Sequence, residues 1–361
     1  MTAEVVLFGG AGLVLLLAGG ELLVRGASRV GAAVGLSPLI VGLTVVAMGT
    51  SAPELAVSAH ASLTGRAALA LGNVVGSNIV NVLLILGLSA LITPLAVQVR
   101  LVRREIPLMI GSGVALLVLA LDGGVGRVEG FLLLTGLFVY TGWSVIEGRR
   151  VDANGGSAEA GGRWHPPDES GRRGWRGILA AFAAVVGGLA LLVVGARWLV
   201  EGAVQAARSL GVDELTIGVT VVAAGTSLPE VATSVVAALR GQRDMAVGNV
   251  VGSNLFNVLG ILGAAAVLSP NGVAVADVAL RFDIPVMIAV SVACLPIFFT
   301  GWSIRRWEGG LLVGYYVAYV AYVLLAQQAH YSLPAFSRTM WAFVLPVTAV
   351  VLAVSAFRAA R

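Results

Sequence analysis

Lysine is absent from this chain of 361 residues, in which all 23 basic residues are arginine. Only 12% of the residues are charged, about half the share that is usual in a soluble domain. The single cysteine, Cys294, excludes a disulfide within the chain and is expected to lie in the core. The three histidines form no metal-binding cluster, and the apolar segments contain no HExxH pattern and no nucleophile paired with a base. The sequence therefore does not indicate an enzyme.

Long apolar segments dominate the chain instead. Hydrophobic residues make up 58% of it and the mean hydropathy is +0.94, values typical of an integral membrane protein. A helix of about 20 apolar residues crosses a hydrocarbon core of roughly 30 Å. Eleven such segments predict membrane-spanning helices at residues 5–24, 38–60, 68–93, 105–121, 128–147, 177–199, 215–239, 245–268, 284–300, 308–326 and 340–357.

The arginines are distributed unevenly between the two sides that these helices would define. Most of them, including Arg25, Arg29 and the cluster at residues 100–104, fall on the side of the central loop. By the positive-inside rule this side is cytoplasmic and the N-terminus lies outside. The pI near 9.7 follows from this topology. We therefore expect the lipid bilayer of the cytoplasmic (inner) membrane as a partner, and no nucleic acid.

Two polar phrases of the first half recur in the second. "GTSAPEL" at residues 49–55 superposes without a gap on "GTSLPEV" at residues 225–231 after a shift of 176 residues. With the same shift, "GNVVGSNIVN" at residues 72–81 matches "GNVVGSNLFN" at residues 248–257. Shared apolar composition does not produce such polar identities, so the chain contains one unit used twice.

Each unit contains five helices, and because five is odd, the second unit begins on the opposite side of the membrane. We predict an all-α polytopic membrane protein with two inverted five-helix repeats, helices broken at the midplane, and an eleventh C-terminal helix. This architecture is typical of secondary transporters; the alternative is a duplicated scaffold without transport, which the buried polar residues disfavour. The predicted parts are a first repeat at 1–147, a cytoplasmic linker loop at 148–176, a second repeat at 177–326 and the extra helix at 327–361.

The first phrase and its repeat, at residues 49–55 and 225–231, each place a proline and a glutamate inside an apolar segment. Pro53 and Pro229 lack an N–H, so carbonyls near Gly49 and Gly225 lose their usual helical partner. Exposed carbonyls are costly in hydrocarbon unless they line a cavity or meet a ligand. Each copy of the first phrase therefore predicts a broken helix that presents carbonyl, hydroxyl and carboxylate oxygens.

Glu54 and Glu230 are the strongest candidates for function. An ionised glutamate at the bilayer centre costs several kcal/mol, and no arginine lies in the helices of the two phrases to pair with it. A cation or a proton has to compensate. With oxygen ligands alone the cation is calcium, sodium or magnesium, and calcium suits a cage of about 6 to 8 oxygens best. The hydroxyl and amide residues nearby could equally serve helix packing, and we expect Glu105 and Asp283 to be interfacial anchors.

These paired blocks resemble the alpha-repeats of the calcium:cation antiporter superfamily, above all its prokaryotic sodium/calcium exchangers. The resemblance covers about residues 1–326 and implies an ion-binding centre that both repeats build. It implies Glu54 and Glu230 as shared ligands of calcium and sodium. Further oxygens would come from the side chains of Thr50, Thr226, Ser51, Ser227, Ser77, Ser253, Asn81 and Asn257 and from the carbonyls of Ala47 and Ala223. Some relatives carry aspartate at the position of Asn257, so this chain has one titratable group fewer.

The resemblance implies a secondary antiporter that exchanges sodium for calcium across the cytoplasmic membrane by alternating access, without a cofactor. Charge balance also favours exchange, because an empty site would occlude two uncompensated carboxylates and only loaded states would cross. The alternative is a calcium/proton antiporter in which protons replace sodium at the same glutamates. A passive channel is a third interpretation, which the inverted broken helices disfavour. The sequence specifies no oligomeric state.

Overall fold

The computed structural model describes residues 3–153, 175–209, 223–299, 301–328 and 330–351, and nearly all of them are helical. Hydrocarbon contains no water to bind backbone N–H and C=O groups, so an apolar segment adopts a helix, which satisfies these groups internally. Most of the predicted linker lies outside the described residues. The flanking helices extend into it, up to Ala153 on one side and from Trp175 on the other.

The first half contains five helical segments, two of which are interrupted. In chain order the helices are α1 (Ala3–Val34), α2 (Pro38–Val41), α3 (Ala47–Thr50), α4 (Ala52–Leu63), α5 (Ala68–Val80), α6 (Gly87–Ile92), α7 (Ile106–Leu119) and α8 (Arg127–Ala153). π-Helical turns join some of them at Gly42–Val46, Asn81–Leu86 and Leu101–Glu105. Two short strands, β1 (Leu95–Ala96) and β2 (Gly124–Val125), lie in the connections.

The second half repeats this order. Its helices are α9 (Trp175–Ser209), α10 (Ala223–Gly225), α11 (Leu228–Leu239), α12 (Arg243–Leu255), α13 (Gly263–Leu268), α14 (Ile284–Phe299) and α15 (Arg306–Gln327), followed by the C-terminal α16 (Leu333–Thr339). π-Helical turns occupy Phe256–Leu262, Ala279–Asp283 and Met340–Val344, and the strands are β3 (Val273–Ala274) and β4 (Ser303–Ile304).

Among the described residues, eight helices are long and apolar enough to cross a membrane, and the bent pair within residues 38–63 makes a ninth. The two other predicted segments are represented by shorter helices. α7 has 14 residues and α11 has 12, and residues 210–222, which precede α10, lie outside the described part. A described helix thus lies within each of the eleven predicted segments, and nine of the segments are long and apolar enough to span a membrane.

Both copies of the first phrase, GTSAPEL and GTSLPEV, break their helix. α3 and α4 meet at Ser51, where the helical segment Pro38–Thr50 is bent by 45° relative to Ala52–Leu63. In the second half, α10 and α11 meet at Thr226 and Ser227. Pro53 and Pro229 lie in the first turn of the helix that follows, where a missing N–H costs no hydrogen bond. The breaks therefore occur where the two copies of the first phrase predict them.

α1 and α9 form a closely packed antiparallel pair. A Cβ atom at Gly19 of α1 would lie 2.8 Å from the carbonyl oxygen of Gly188 in α9. One at Gly195 would lie 2.9 Å from the carbonyl oxygen of Gly12. Small residues let helix backbones approach in this way inside a membrane. The two helices are therefore expected to behave as one rigid unit.

α5 and α12, the helices that carry the GNVVGSN phrase, lie at the core between the two halves. α12 packs against the second segment of the first half, where a Cβ atom at Gly252 would lie only 2.5 Å from the carbonyl oxygen of Leu43. Strands also join the halves, since β1 pairs antiparallel with β4, and β2 with β3. As a result, polar residues from the two halves meet at the centre of the molecule.

Candidate ion-binding site

Glu54 and Glu230 lie in this core, each in the first turn of the helix that follows a break. Each is only 1% exposed. The N-terminus of a helix carries a partial positive charge, which stabilises a carboxylate. The two groups nevertheless lie close enough for their negative charges to repel each other. The fold thus brings together two buried carboxylates from opposite halves.

Serine hydroxyls hold the two carboxylates in a reciprocal arrangement. Oγ of Ser51 donates a hydrogen bond of 2.9 Å to Oε1 of Glu230. Oγ of Ser227 donates to Oε1 of Glu54 at 3.2 Å and also lies 3.3 Å from Oγ of Ser77. Both serines are the break residues of their own half. Each glutamate is therefore positioned by the helix break of the other half.

Several oxygen atoms of the predicted site residues are buried and have no hydrogen-bond partner among the described residues. They are Oε2 of Glu54, Oε2 of Glu230, Oδ1 of Asn81, Oδ1 of Asn257, Oγ of Ser253 and Oγ1 of Thr226. Leaving a buried polar atom without a partner costs about 1–3 kcal/mol, and more if it is charged. Carboxylate, amide and hydroxyl oxygens are the ligands that hard cations prefer. The set of free oxygens therefore fits a sodium or calcium ion.

The two predicted threonines lie beside opposite carboxylates, Thr50 beside Glu230 and Thr226 beside Glu54. Oγ1 of Thr50 lies 3.3 Å from Oδ1 of Asn249 and is also within hydrogen-bond distance of backbone carbonyls of its own helix. A hydroxyl has one hydrogen and two lone pairs. Thr50 can therefore donate to one of these acceptors and still offer a lone pair to a ligand.

The two predicted alanines contribute only their backbone. The carbonyl oxygen of Ala47 accepts the N–H of Ser51 at 3.1 Å. A carbonyl oxygen has a second lone pair, which remains available for an ion. Ala223 begins α10 and is the first described residue after the gap at 210–222.

Four asparagine amides cross between the halves next to the carboxylates. Nδ2 of Asn81 donates to Oδ1 of Asn254 at 2.9 Å, and Nδ2 of Asn257 donates to Oδ1 of Asn78 at 3.0 Å. Asn78 and Asn254 were not among the predicted ligands. Their occurrence at matching positions of the two repeats was the only signal in the sequence, and it is equally consistent with helix packing.

A second pair of asparagines supports the broken helices from within each half. Nδ2 of Asn73 donates to Oγ of Ser58 at 3.0 Å, and Nδ2 of Asn249 donates to Oγ of Ser234 at 2.9 Å. Asn73 also lies 3.3 Å from the backbone oxygen of Glu54. The helices of the two phrases are thus tied to each other at matching positions, which limits how far the glutamates can move.

Among the described residues, Glu54 and Glu230 are the acidic side chains that supply charge to the site. The described part of the chain contains no group of three or more His, Cys, Asp and Glu side chains that could hold a metal ion. The described hydrogen-bond partners of the two carboxylates are neutral serine hydroxyls. The two carboxylates carry two negative charges when both are ionised, which one divalent ion or two monovalent ions balance.

The expectation for Glu105 was wrong, because this residue is not an interfacial anchor. It is fully buried, and Oε2 accepts a hydrogen bond of 2.9 Å from the hydroxyl of Tyr140 on α8. Oε1 lies 3.6 Å from Nε of Arg100. The arginine is close, as expected, but α8 covers the pair. Glu105 therefore joins α8 to the start of α7 and does not contribute to the central site.

The chain is similar to several known proteins. The family model described as "Sodium/calcium exchanger protein" matches residues 5–146 and 180–325. The "Putative antiporter CaxA" of Alkalimonas amylolytica is 39% identical over 312 residues, which cover 85% of this chain and 95% of that protein. The "Sodium/calcium exchanger MaX1" of Methanosarcina acetivorans is 35% identical over 338 residues, which cover 86% and 95%. A solved structure of the sodium-calcium exchanger NCX_Mj, soaked with zero Na+ and Ca2+, superposes with a TM-score of 0.74 at 30% identity and covers 90% of this chain and 100% of its own.

Proposed function

This chain belongs to the sodium/calcium exchanger family, and we propose that it exchanges sodium for calcium by alternating access at a central site that both halves build. It is an integral multi-pass membrane protein of the cation-antiporter type and not an enzyme. Sodium and calcium are then its substrates, and the exchange needs no cofactor.

The reciprocal placement of the two glutamates carries this proposal. Glu54 is held by Ser227, and Glu230 by Ser51, through one oxygen each. The second oxygen of each carboxylate is buried and has no hydrogen-bond partner among the described residues. Two such oxygens from opposite halves are suited to bind one ion between them, which links its binding to the relative position of the halves.

Charge balance explains why such a site exchanges ions. Two ionised carboxylates that are occluded without a counterion carry a desolvation cost of several kcal/mol per ion. One calcium ion or two sodium ions cancel this charge. The conformational change is then favourable only for the loaded protein, so calcium moves one way when sodium moves the other.

The ligands of the ions follow from the free oxygens and the contacts of the carboxylates. We assign Glu54 and Glu230 to calcium and to sodium in turn, with Asn81 and Asn257 at the centre. The hydroxyls of Thr50, Thr226, Ser51, Ser227, Ser77 and Ser253 and the carbonyls of Ala47 and Ala223 complete the sodium sites.

The pair of α1 and α9 is the moving element in this proposal. Its glycine-mediated contact makes the two helices one unit, and α1 also packs against α11, which carries Glu230. At Gly20 a Cβ atom would lie 3.3 Å from the carbonyl oxygen of Ala232 in α11. A shift of the pair along this contact would open the glutamates to one side of the membrane or the other.

The domain organisation and the orientation belong to the same proposal. The repeats occupy 1–147 and 177–326, joined by a cytoplasmic linker at 148–176 and followed by the extra helix at 327–361. The antiparallel packing of α1 and α9, the first helices of the two halves, supports an inverted repeat. The uneven distribution of arginine supports a location in the cytoplasmic membrane, with the N-terminus outside.

Radioactive calcium uptake into proteoliposomes tests the function directly. Vesicles loaded with sodium are diluted into sodium-free buffer, and choline-loaded vesicles serve as the control. We expect uptake only with the outward sodium gradient. Uptake that ignores sodium but follows an imposed pH gradient would contradict sodium exchange and assign the protein to the proton-coupled antiporters.

A further inference from the structure

Two methionine sulfurs next to the ion site each accept an N–H from an asparagine amide. Nδ2 of Asn78 lies 3.4 Å from Sδ of Met287, and Nδ2 of Asn254 lies 3.3 Å from Sδ of Met109. All four residues are buried. A thioether has lone pairs but no hydrogen, so it can pair only with the NH2 end of an amide. Each sulfur therefore sets the direction of the amide beside it.

The amide that is fixed in this way orients a second amide. Because the NH2 group of Asn78 is turned towards Met287, its Oδ1 is left to accept Nδ2 of Asn257, at 3.0 Å. Nδ2 of Asn78 also lies 3.3 Å from the backbone oxygen of Asn254, which favours the same direction. On the other side, Oδ1 of Asn254 accepts Nδ2 of Asn81 at 2.9 Å.

The end of each second amide that stays free is its oxygen. Oδ1 of Asn81 and Oδ1 of Asn257 are buried and have no hydrogen-bond partner among the described residues. An amide oxygen attracts a cation, whereas the NH2 group at the other end of the same side chain repels it. The direction of these amides therefore decides whether they help or oppose ion binding.

We propose that Asn78 and Asn254 are positioning residues, which hold the amides of Asn257 and Asn81 with their oxygens towards the transported ion. Each forms an amide relay, defined as Met287–Asn78–Asn257 in one case and Met109–Asn254–Asn81 in the other. This role rests on the proposed function, because it concerns the ligands of the same site.

Each amide relay alternates between the two halves of the chain. A proposed ligand in one half is thus oriented by an asparagine of the other half. That asparagine is in turn oriented by a methionine from the same half as the ligand. The thioether suits the outer position because it is a poor ligand for hard cations. A carboxylate there would orient the amide equally well but would compete for the ion.

Conservative variants of the methionines test the amide relays. Met287→Leu and Met109→Leu keep the volume of the side chain but remove the sulfur acceptor. We expect each to raise the KM for calcium about three- to tenfold, the effect of one hydrogen bond, with little change in the maximal rate of sodium-driven uptake. Met245→Leu, at a fully buried methionine of α12 outside both relays, is the matched control and should behave as wild type.

A double variant separates orientation from packing. A carboxylate has an oxygen at both ends, so in an Asn257→Asp background the ligand no longer depends on Asn78 for its direction. Met287→Leu should then leave the KM for calcium unchanged, whereas Met109→Leu should still raise it. An equal rise caused by Met287→Leu in both backgrounds would overturn the relay.

Glu54→Gln in the same series keeps the two proposals distinct. Suppose that Glu54→Gln abolishes sodium-driven uptake, whereas Met287→Leu and Met109→Leu keep the wild-type KM for calcium. This result would overturn the amide relays while the exchange function stands.

Discussion

Ser51 donates a hydrogen bond of 2.9 Å to Glu230, a residue 179 positions away in the other half of the chain. The equivalent serine, Ser227, donates in the same way to Glu54 at 3.2 Å. The break of each half thus holds the carboxylate of the other. This relationship joins the two halves at the centre of the molecule, and the proposed function rests on it.

Neutral replacement of either central carboxylate should abolish transport. Glu54→Gln and Glu230→Gln each remove one of the two negative charges that balance calcium and introduce an NH2 group into the site. We expect loss of sodium-driven calcium uptake in proteoliposomes, with unchanged membrane insertion and an unchanged elution volume in size-exclusion chromatography.

Glu201→Gln provides the matched control for these two variants. Glu201 is exposed on α9, where it accepts a hydrogen bond from Gln205. Its replacement should leave the uptake rate at the wild-type level. Uptake near the wild-type rate in either Glu54→Gln or Glu230→Gln would refute the assignment of the site.

The two break serines should act alike although they lie in different halves. Ser51→Ala and Ser227→Ala each remove a hydrogen bond to a buried carboxylate, which is worth about 1.5–3 kcal/mol. We expect the KM for calcium to rise at least about tenfold in each. Ser337→Ala on the C-terminal α16 is the control. A normal KM in one serine variant and a raised KM in the other would contradict the reciprocal site.

A methyl group between α1 and α9 should separate the helix pair. In Gly19→Ala the new Cβ atom would lie 2.8 Å from the carbonyl oxygen of Gly188, and overpacking of this kind costs about 1–3 kcal/mol. We expect a melting midpoint lower by about 3–10 °C in a thermal-shift assay and slower uptake. Gly10→Ala, which meets no atom within 4 Å, is the control. Equal midpoints for the two variants would show that the pair is not closely packed in the membrane.

The buried contact between Glu105 and Tyr140 should contribute to stability and not to transport. Tyr140→Phe removes the donor of the 2.9 Å hydrogen bond to Oε2 of Glu105. The loss of this donor to a buried carboxylate oxygen lowers the free energy of unfolding by about 1–3 kcal/mol. We expect a melting midpoint lower by several degrees and an unchanged KM for calcium. Tyr331→Phe, at a tyrosine that is 87% exposed, should change neither. A raised KM in Tyr140→Phe would connect this cluster to the ion site.

Much of the fold was predictable because its signals are local. Apolar length indicated the membrane segments, and the prolines at positions 53 and 229 indicated where two of them break. Glu54 and Glu230 stood out because a charge in an apolar helix requires a partner. The comparisons confirm the family and its fold, while the roles of the individual residues stay predictions.

Other features depended on partners that the sequence does not reveal. Glu105 looked like an interfacial residue because arginines precede it, but its surroundings are decided by α8, which packs over it. Asn78 and Asn254 were as consistent with helix packing as with function, because an asparagine carries both donors and an acceptor and only its neighbours determine which end is used. Met109 and Met287 gave no signal, since a methionine in an apolar helix is usually a core residue.

The sequence alone determined the membrane class, the repeated unit, the positions of the helix breaks and the two central glutamates, because each depends on residues that are close together in the chain or on the identity of the two repeats. The tertiary structure alone decided which serine holds which glutamate, which oxygens stay without a partner and which end of each amide stays free. These features are set by hydrogen bonds between residues that are far apart in the chain, and the direction of such a bond exists only once both partners are in place.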